Sequence, residues 1–129
     1  RKYKATSASK LEEVEQMGEL ENFDVILIDE GQFFEDLATF CFKWACEGKK
    51  IFVAALLSDF KEKGWKSVNK LIPKVDDIEF FHAVCKECKK SASKSKAKDE
   101  KLIDVGKKEN IGGIEKFTPV CSNCFSNGD

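Results

Sequence analysis

The sequence lacks several features that would each assign the chain to a class of protein. None of its apolar runs reaches the length of a membrane-spanning helix, and no secretory signal peptide is visible. Its charges nearly cancel, with 22 basic residues, 23 acidic residues and a net charge of −1, so no overall field favours nucleic acid. We therefore expect a cytoplasmic protein with no membrane partner, for which nucleic acid is an unfavoured partner.

The sequence also lacks the phosphate-binding motif G-x-x-x-x-G-K-[ST]. Without that loop there is no nest of backbone N–H groups and no lysine for the β- and γ-phosphates of a nucleotide. We therefore expect this chain alone not to bind ATP productively. The chain begins with Arg1 and not with Met, so we expect it to be processed, trimmed or part of a longer protein.

Cysteine, by contrast, is well represented. Four of the six cysteines form two C-x2-C knuckles separated by residues 89–120: Cys85, Cys88, Cys121 and Cys124. Two such pairs can surround one Zn²⁺ in a closed tetrahedral site, which is structural because no coordination position stays open. Disulfides are the alternative. The lysine-rich composition, and the position of Cys41 and Cys46 in an apolar helical pattern, argue against them.

The first half of the chain predicts a βαβ unit. Residues 24–29 predict a strand whose inner residues, 25–28, are continuously apolar, as in a strand that is covered on both faces. Apolar residues then recur at helical spacing over residues 35–47, and residues 50–56, which are apolar after Lys50, predict a second buried strand. The two strands of such a unit should be parallel. A capping box from Ser9 to Glu12 predicts an earlier helix, and residues 67–72 predict a later one.

The second half predicts a small lobe around the knuckles. Residues 77–84 have the pattern of a third strand, and residues 91–101 have no apolar pattern and predict a flexible loop. Residues 101–105 and 116–120 could pair as an antiparallel ribbon, with a turn at residues 110–113. We therefore divide the chain into residues 1–82, an α/β core portion, and residues 83–129, a four-cysteine lobe.

Two acids, Asp29 and Glu30, follow the first predicted strand. Ligands of open α/β sheets bind at the carboxyl ends of the strands. One carboxylate there could hold Mg²⁺ through water, and the other could take a proton from an attacking hydroxyl. An isolated Asp-Glu pair more often simply caps a strand and meets lysines, so the residues alone favour that interpretation over the catalytic one.

The string Ile28-Asp-Glu-Gly-Gln-Phe-Phe34 resembles the signature of the thymidine kinases of the cellular and poxviral type. The resemblance continues in order and spacing from residue 24 to residue 125, through Ala83-Val-Cys-Lys-Glu-Cys88 and Ile111-Gly-Gly-Ile-Glu-Lys-Phe117. It implies an α/β fold, with part of a P-loop-type parallel sheet, flanking helices and a small zinc-stapled lasso lobe. It also implies phosphoryl transfer from ATP to deoxythymidine with Mg²⁺, and a homotetramer.

The resemblance also implies roles for single residues. Glu30 matches the general base that takes the proton of the nucleoside 5′-hydroxyl, and Asp29 matches the acidic residue near Mg²⁺. The positions that match the nucleoside pocket are Phe33, Phe34, Phe60, Ile111, Gly112, Gly113 and Phe117. The four knuckle cysteines match the family's zinc ligands.

Some positions depart from the family pattern. Lys94 stands where the family usually has an aromatic residue, Ala97 and Ser122 stand where it has Arg, and Phe117 replaces a Tyr. With the absent phosphate-binding motif, these departures keep open a second function, a catalytically degenerate thymidine-kinase-like subunit with a structural or interaction role in a larger assembly. A zinc ribbon that binds nucleic acid would rest only on the lysine-rich residues 86–101.

Overall fold

The computed structural model describes residues 4–98 and 116–127. They form two compact units of mixed helix and strand with small sheets. The first unit draws on Arg1–Leu57 and Gly64–Ile78, and the second draws on Ser58–Lys63 and Glu79–Asp129. No helix in the described part of the chain is long and apolar enough to cross a membrane.

The first unit is built on a two-stranded parallel sheet. Strand β1 (Val25–Ile28) pairs with strand β2 (Lys50–Val53), so that Val25 lies opposite Lys50 and Ile28 lies opposite Val53. Helix α2 (Leu37–Cys46) connects the two strands. The predicted parallel β-α-β arrangement is therefore confirmed.

Helix α2 supplies the centre of the core in this unit. Leu37, Cys41 and Trp44 are buried, and Phe40 packs against them, as the helical spacing predicted. The indole N–H of Trp44 donates to the carboxylate of Glu15, so the polar end of this buried side chain is satisfied. Each large apolar side chain buried here contributes about 1.5–3 kcal/mol relative to exposure.

Helix α1 (Leu11–Gln16) does not begin as the capping box predicted. Its N-cap residue is Lys10, and no side chain of the helix's own N-terminus caps it. The carboxylate of Asp36, just before α2, accepts from the backbone N–H groups of Leu11 and Glu12 at 3.1 and 2.9 Å. The capping box is therefore wrong, because a residue distant in sequence satisfies the free N–H groups of α1.

The sheet is covered on one face only in the described part of the chain. Ile26 and Ile28 pack in the core, whereas Val25, Leu27 and Phe52 on the opposite face are 48%, 76% and 59% exposed. Within the described residues, the expectation that both faces of β1 are covered is therefore wrong. Side chains alternate between the two faces of a strand, so one missing layer leaves every second residue exposed.

Helix α3 (Lys66–Leu71) completes the first unit. Val68 and Leu71 pack in the same core as α2, and a 3₁₀ turn from Ile72 to Lys74 follows directly. The predicted helix is confirmed. Pro73 lies inside the turn that follows α3, so the N–H group that proline lacks is not needed for a hydrogen bond of that helix.

The second unit contains two antiparallel strand pairs and a short helix. Strand β3 (Ala83–Val84) pairs with β4 (Ser91–Ala92), and β5 (Lys94–Ala97) pairs with β6 (Phe117–Val120). Helix α4 (Ser122–Ser126) follows β6. The centre of the unit is formed by three buried residues, Cys85, Ala92 and Val120.

Two expectations for this half are corrected, and a third cannot be compared because it falls partly outside the described residues. Of the strand predicted for residues 77–84, only Ala83–Val84 is a strand, and Phe80 and Phe81 before it are 62% and 84% exposed. Within the loop predicted for residues 91–101, residues 91–92 and 94–97 instead form β4 and β5, because β3 and β6 provide pairing partners. Strand β6 pairs with β5, while residues 101–105 and the turn at 110–113 lie outside the described residues.

Candidate active site and metal centre

The turn after β1 carries both candidate catalytic acids at the carboxyl end of the strand. Asp29 and Glu30 are exposed, and a 3₁₀ turn follows from Gly31 to Phe33. Glu30 has φ 53° and ψ 41°, in the left-handed region that residues other than glycine rarely adopt. Its backbone N–H donates to the Asp29 carboxylate at 2.9 Å. The unusual backbone fixes the direction in which the Glu30 side chain leaves the turn.

Gly31 holds this turn close to β2. Its N–H donates to the carbonyl of Ala54 at 2.9 Å. A Cβ built at Gly31 would lie 2.6 Å from Cγ1 of Val53, which is closer than side-chain atoms approach each other. Only glycine therefore fits, and the turn stays against the end of the second strand.

Gln32 is the buried polar residue of the site, with a side chain only 4% exposed. Its Oε1 accepts from the Leu56 N–H at 3.1 Å, and its Nε2 donates to Oε2 of Glu30 at 2.5 Å. The Leu56 N–H is a donor, which fixes the amide orientation and leaves Nε2 for the Glu30 carboxylate. The hydroxyl of Ser67 donates to the Gln32 carbonyl at 2.8 Å. The Gln32 side chain thus orients the carboxylate of Glu30.

Sequence reasoning assigned no role to Gly31 or Gln32, although both lie in the family-like string. Their roles depend on contacts with Val53, Ala54 and Leu56, which lie on or after the second strand. The parallel pairing of the two strands was predictable, and it was the signal that residues 31–32 would meet residues 53–56. The hydrogen bonds themselves depend on side-chain placement that a periodicity does not specify.

The two aromatic candidates of the first unit follow directly in the chain. The ring of Phe33 packs edge to face on Trp65, with centroids 5.4 Å apart, and Phe34 packs against the core. The indole N–H of Trp65 is buried and has no hydrogen-bond partner in the part of the chain that the structure describes. The turn therefore places two acids and two aromatic rings within the six residues from Asp29 to Phe34.

The remaining aromatic candidates meet in the second unit. Phe60 is 7% exposed, and its ring lies 5.8 Å from that of Phe117, centroid to centroid, at an angle of 39°. These two residues are far apart in sequence, and the fold brings their rings together. The candidates Ile111, Gly112 and Gly113 lie outside the described residues.

The four knuckle cysteines also converge in the second unit. Their sulfur atoms all lie within 4.8 Å of one another, and all four cysteines are free thiols: Cys85, Cys88, Cys121 and Cys124. Ligands of a tetrahedral zinc ion, about 2.3 Å from the metal, lie about 3.8 Å apart. The Sγ atoms of Cys88 and Cys121 are 3.6 Å apart, far beyond disulfide bonding distance. The donor set therefore fits one metal ion, and the disulfide alternative is not the arrangement found.

Backbone N–H groups favour the thiolate form at two of these cysteines. The N–H of Cys88 lowers the pKa of the Cys85 thiol to about 6, and the N–H of Cys124 lowers the pKa of Cys121. A hydrogen bond from the Cys124 thiol to the Cys121 sulfur raises the pKa of Cys124, because it stabilises the protonated form of Cys124. A metal ion binds thiolates, so this cluster is arranged for a positive charge at its centre.

The geometry defines a class: a mixed α/β protein with an acidic turn at a strand end and four close cysteines that could hold a metal ion. The family model for thymidine kinase matches residues 1–125. The thymidine kinase of Rabbit fibroma virus (strain Kasza) is 42% identical over 106 residues, and that of Sheeppox virus (strain KS-1) is 45% identical over 105. Thymidine kinase 1 of Dictyostelium discoideum is 39% identical over 124 residues. The chain therefore belongs to the thymidine kinase family.

The matches cover most of this chain but only part of each relative. They include 81% of this chain for the two viral proteins and 96% for the Dictyostelium protein. The chain spans 57%, 56% and 52% of those relatives, respectively, which is little more than half of their length.

Proposed function

We propose that this chain provides the nucleoside-acceptor and zinc portions of a kinase that transfers a phosphoryl group from ATP to deoxythymidine. The observation that carries the proposal is the exposed carboxylate of Glu30, held by the buried amide of Gln32 at the carboxyl end of β1. Membership of the thymidine kinase family supplies the substrate class.

Glu30 is the general base of this proposal. A neutral amide orients its carboxylate without cancelling its charge, so the group can still accept the proton of a 5′-hydroxyl. No lysine forms an ion pair with Asp29 or Glu30 in the described part of the chain, which counts against a simple strand cap. Asp29 is placed near Mg²⁺, which would offset the charge of the phosphates.

The rest of the site follows from the family resemblance. The positions that match the family's nucleoside pocket are Phe33 and Phe34 in the first unit, Phe60 and Phe117 in the second, and Ile111, Gly112 and Gly113. ATP and Mg²⁺ bind only when a P-loop segment is present, since this sequence lacks the motif. The β1–β2 pair then belongs to a larger P-loop-type parallel sheet, and the division into residues 1–82 and 83–129 separates core from lasso lobe.

Zinc is the proposed occupant of the four-cysteine centre. Four sulfur ligands and no open position suit structural Zn²⁺. The kinase is proposed to be cytoplasmic, since its lysine-rich composition is typical of intracellular proteins. It is proposed to work as a homotetramer, which the family resemblance implies, or as a subunit of a larger assembly.

A catalytically degenerate subunit is the second candidate. The specific observation in its favour is that Lys94, at a position where the family usually has an aromatic residue, pairs with Glu62. Its charge is then directed to a carboxylate of the same chain and away from a substrate phosphate.

The test is thymidine binding and ATP-dependent phosphorylation by the longest natural form of the protein. Glu30→Gln should lower turnover about 10²–10⁴-fold with little loss of thymidine affinity, because it removes proton transfer and keeps the size of the side chain. Glu21→Gln, at an exposed position away from the turn, is the matched control. Absence of both binding and transfer in a folded, zinc-loaded sample would favour the degenerate subunit.

A further inference from the structure

Lys94 is at the centre of a set of contacts inside the second unit. From strand β5 its ammonium group forms an ion pair with the carboxylate of Glu62. The same nitrogen lies 5.5 Å from the ring centroid of Phe125 on helix α4, within cation–π range. The side chain of Lys94 is 27% exposed and that of Glu62 is 51% exposed, so solvent screens this ion pair in part. One side chain therefore joins β5, α4 and the segment Ser58–Lys63.

The segment Ser58–Lys63 is a closed loop with its own hydrogen bonds. The Asp59 carboxylate accepts from the N–H groups of Lys61 and Lys63, both at 2.9 Å. The Asp59 N–H donates to the Lys63 carbonyl at 2.9 Å. Glu62 takes a left-handed backbone conformation with φ 61° inside this loop. The loop therefore holds Glu62 at a defined position, and the other residues of the loop move together with Glu62.

Phe60 lies on the same loop, two residues before Glu62. It packs on Phe117 of strand β6, which is the pairing partner of β5. The loop thus contacts the β5–β6 ribbon twice, once through an apolar pair of rings and once through the ion pair. An apolar contact sets little direction, whereas an ion pair fixes which part of the loop meets the ribbon.

We propose that Lys94 is a positioning residue, which holds Glu62 and thereby fixes the loop of residues 58–63 so that Phe60 stays against Phe117. The family usually has an aromatic residue at this position, so the polar attachment distinguishes this chain. The role of Lys94 in placing the loop does not depend on any enzyme activity. Only its consequence for nucleoside binding rests on the proposed function, which places Phe60 in the pocket.

The test measures the fraction of molecules in which the loop has left the ribbon. Relaxation dispersion at the amides of residues 59–63 reports such a minor state in the zinc-loaded chain. Lys94→Met removes the charge and keeps an apolar stem over Phe125. The open fraction should rise about two- to five-fold, the value of one partly screened ion pair. Lys94→Arg, which keeps both contacts, should restore the wild-type fraction.

Lys98→Met is the matched control, because Lys98 lies just beyond β5 and is exposed. Its open fraction should equal that of the wild type. If Lys94→Met does not fold, Glu62→Gln removes the same pair from the other side and should give the same rise. Equal open fractions in the wild type and in these variants would overturn the proposal.

Thymidine binding separates this inference from the proposed function. In a natural form that binds thymidine, Lys94→Met should weaken binding about two- to five-fold and leave kcat nearly unchanged. If no form binds thymidine but the open fraction still rises, the positioning role stands and the proposed function fails. If thymidine binds and the open fraction does not change, the proposed function stands and the positioning role fails.

Discussion

Replacement of Gln32 by Leu tests whether the buried amide stabilises the acidic turn. The substitution keeps the approximate volume of the side chain and removes its hydrogen bonds to Glu30 and to the Leu56 N–H. A neutral bond contributes about 0.5–1.5 kcal/mol and a charge-assisted one about 1.5–3 kcal/mol. Water can reach the exposed Glu30 carboxylate, so the charge-assisted hydrogen bond to Glu30 contributes at the low end of that range. We expect the free energy of unfolding to fall by about 2 kcal/mol.

Tryptophan fluorescence during denaturant unfolding measures this loss directly. The chain has two tryptophans, Trp44 and Trp65, and both lie in the first unit, as Gln32 does. The signal therefore reports the unit that the substitution affects. Gln16→Leu, at the exposed end of α1, is the matched control and should change stability by less than about 0.5 kcal/mol.

The consequence for catalysis follows from the same contacts. In a natural form with thymidine kinase activity, Gln32→Leu should lower turnover more than thymidine affinity, because Glu30 loses the group that orients it. A stability equal to that of the Gln16→Leu control would refute the reasoning, because the hydrogen bonds of the Gln32 side chain would then add nothing to the stability of the turn.

Three further perturbations test other parts of the structure. Gly31→Ala should destabilise the first unit by about 1–3 kcal/mol in the same titration, because the new Cβ would meet Val53 at 2.6 Å; wild-type stability would contradict this. At pH 8 the exposed Cys46 should react with iodoacetamide while Cys41 stays unlabelled by mass spectrometry until unfolding, because burial raises the pKa of Cys41 to about 11. Protein purified without chelator should contain one zinc per chain, and Cys121→Ser should remove it and loosen the second unit while the tryptophan signal of the first persists. Zinc-free protein would count against this metal.

The elements of the first unit were predictable because their signals are local. The apolar spacing of Leu37, Cys41 and Trp44 sets one face of a helix, and the two flanking apolar runs set strands. The continuous apolar run of β1 does not by itself show which face is exposed, because such a run is the same whether one layer or two layers cover the strand. The cap of α1 was missed because Asp36 is far from Leu11 in sequence.

The second unit was less predictable because its strands are short and polar. Residues 94–97 are Lys-Ser-Lys-Ala, which has no hydrophobic alternation, and their strand depends on pairing with β6. The knuckle spacing, however, predicted correctly that four sulfur atoms would meet. The spacing of metal ligands constrains geometry directly, so it predicts which sulfur atoms meet even where the strands show no hydrophobic periodicity. The roles assigned to Glu30, Asp29 and the aromatic residues stay predictions.

The conformation of Glu30 links the two missed residues to the candidate chemistry. A left-handed conformation costs a residue with a side chain about 1–2 kcal/mol, so the surrounding structure must enforce it. On this turn the enforcement comes from the residues that follow. Gly31 is bonded to Ala54 and tolerates no Cβ, and Gln32 bonds both Leu56 and the Glu30 carboxylate. A carboxylate that served only to end a strand would need neither contact, since water and a relaxed backbone would satisfy it. The strain and the amide together favour a carboxylate held for a reacting partner.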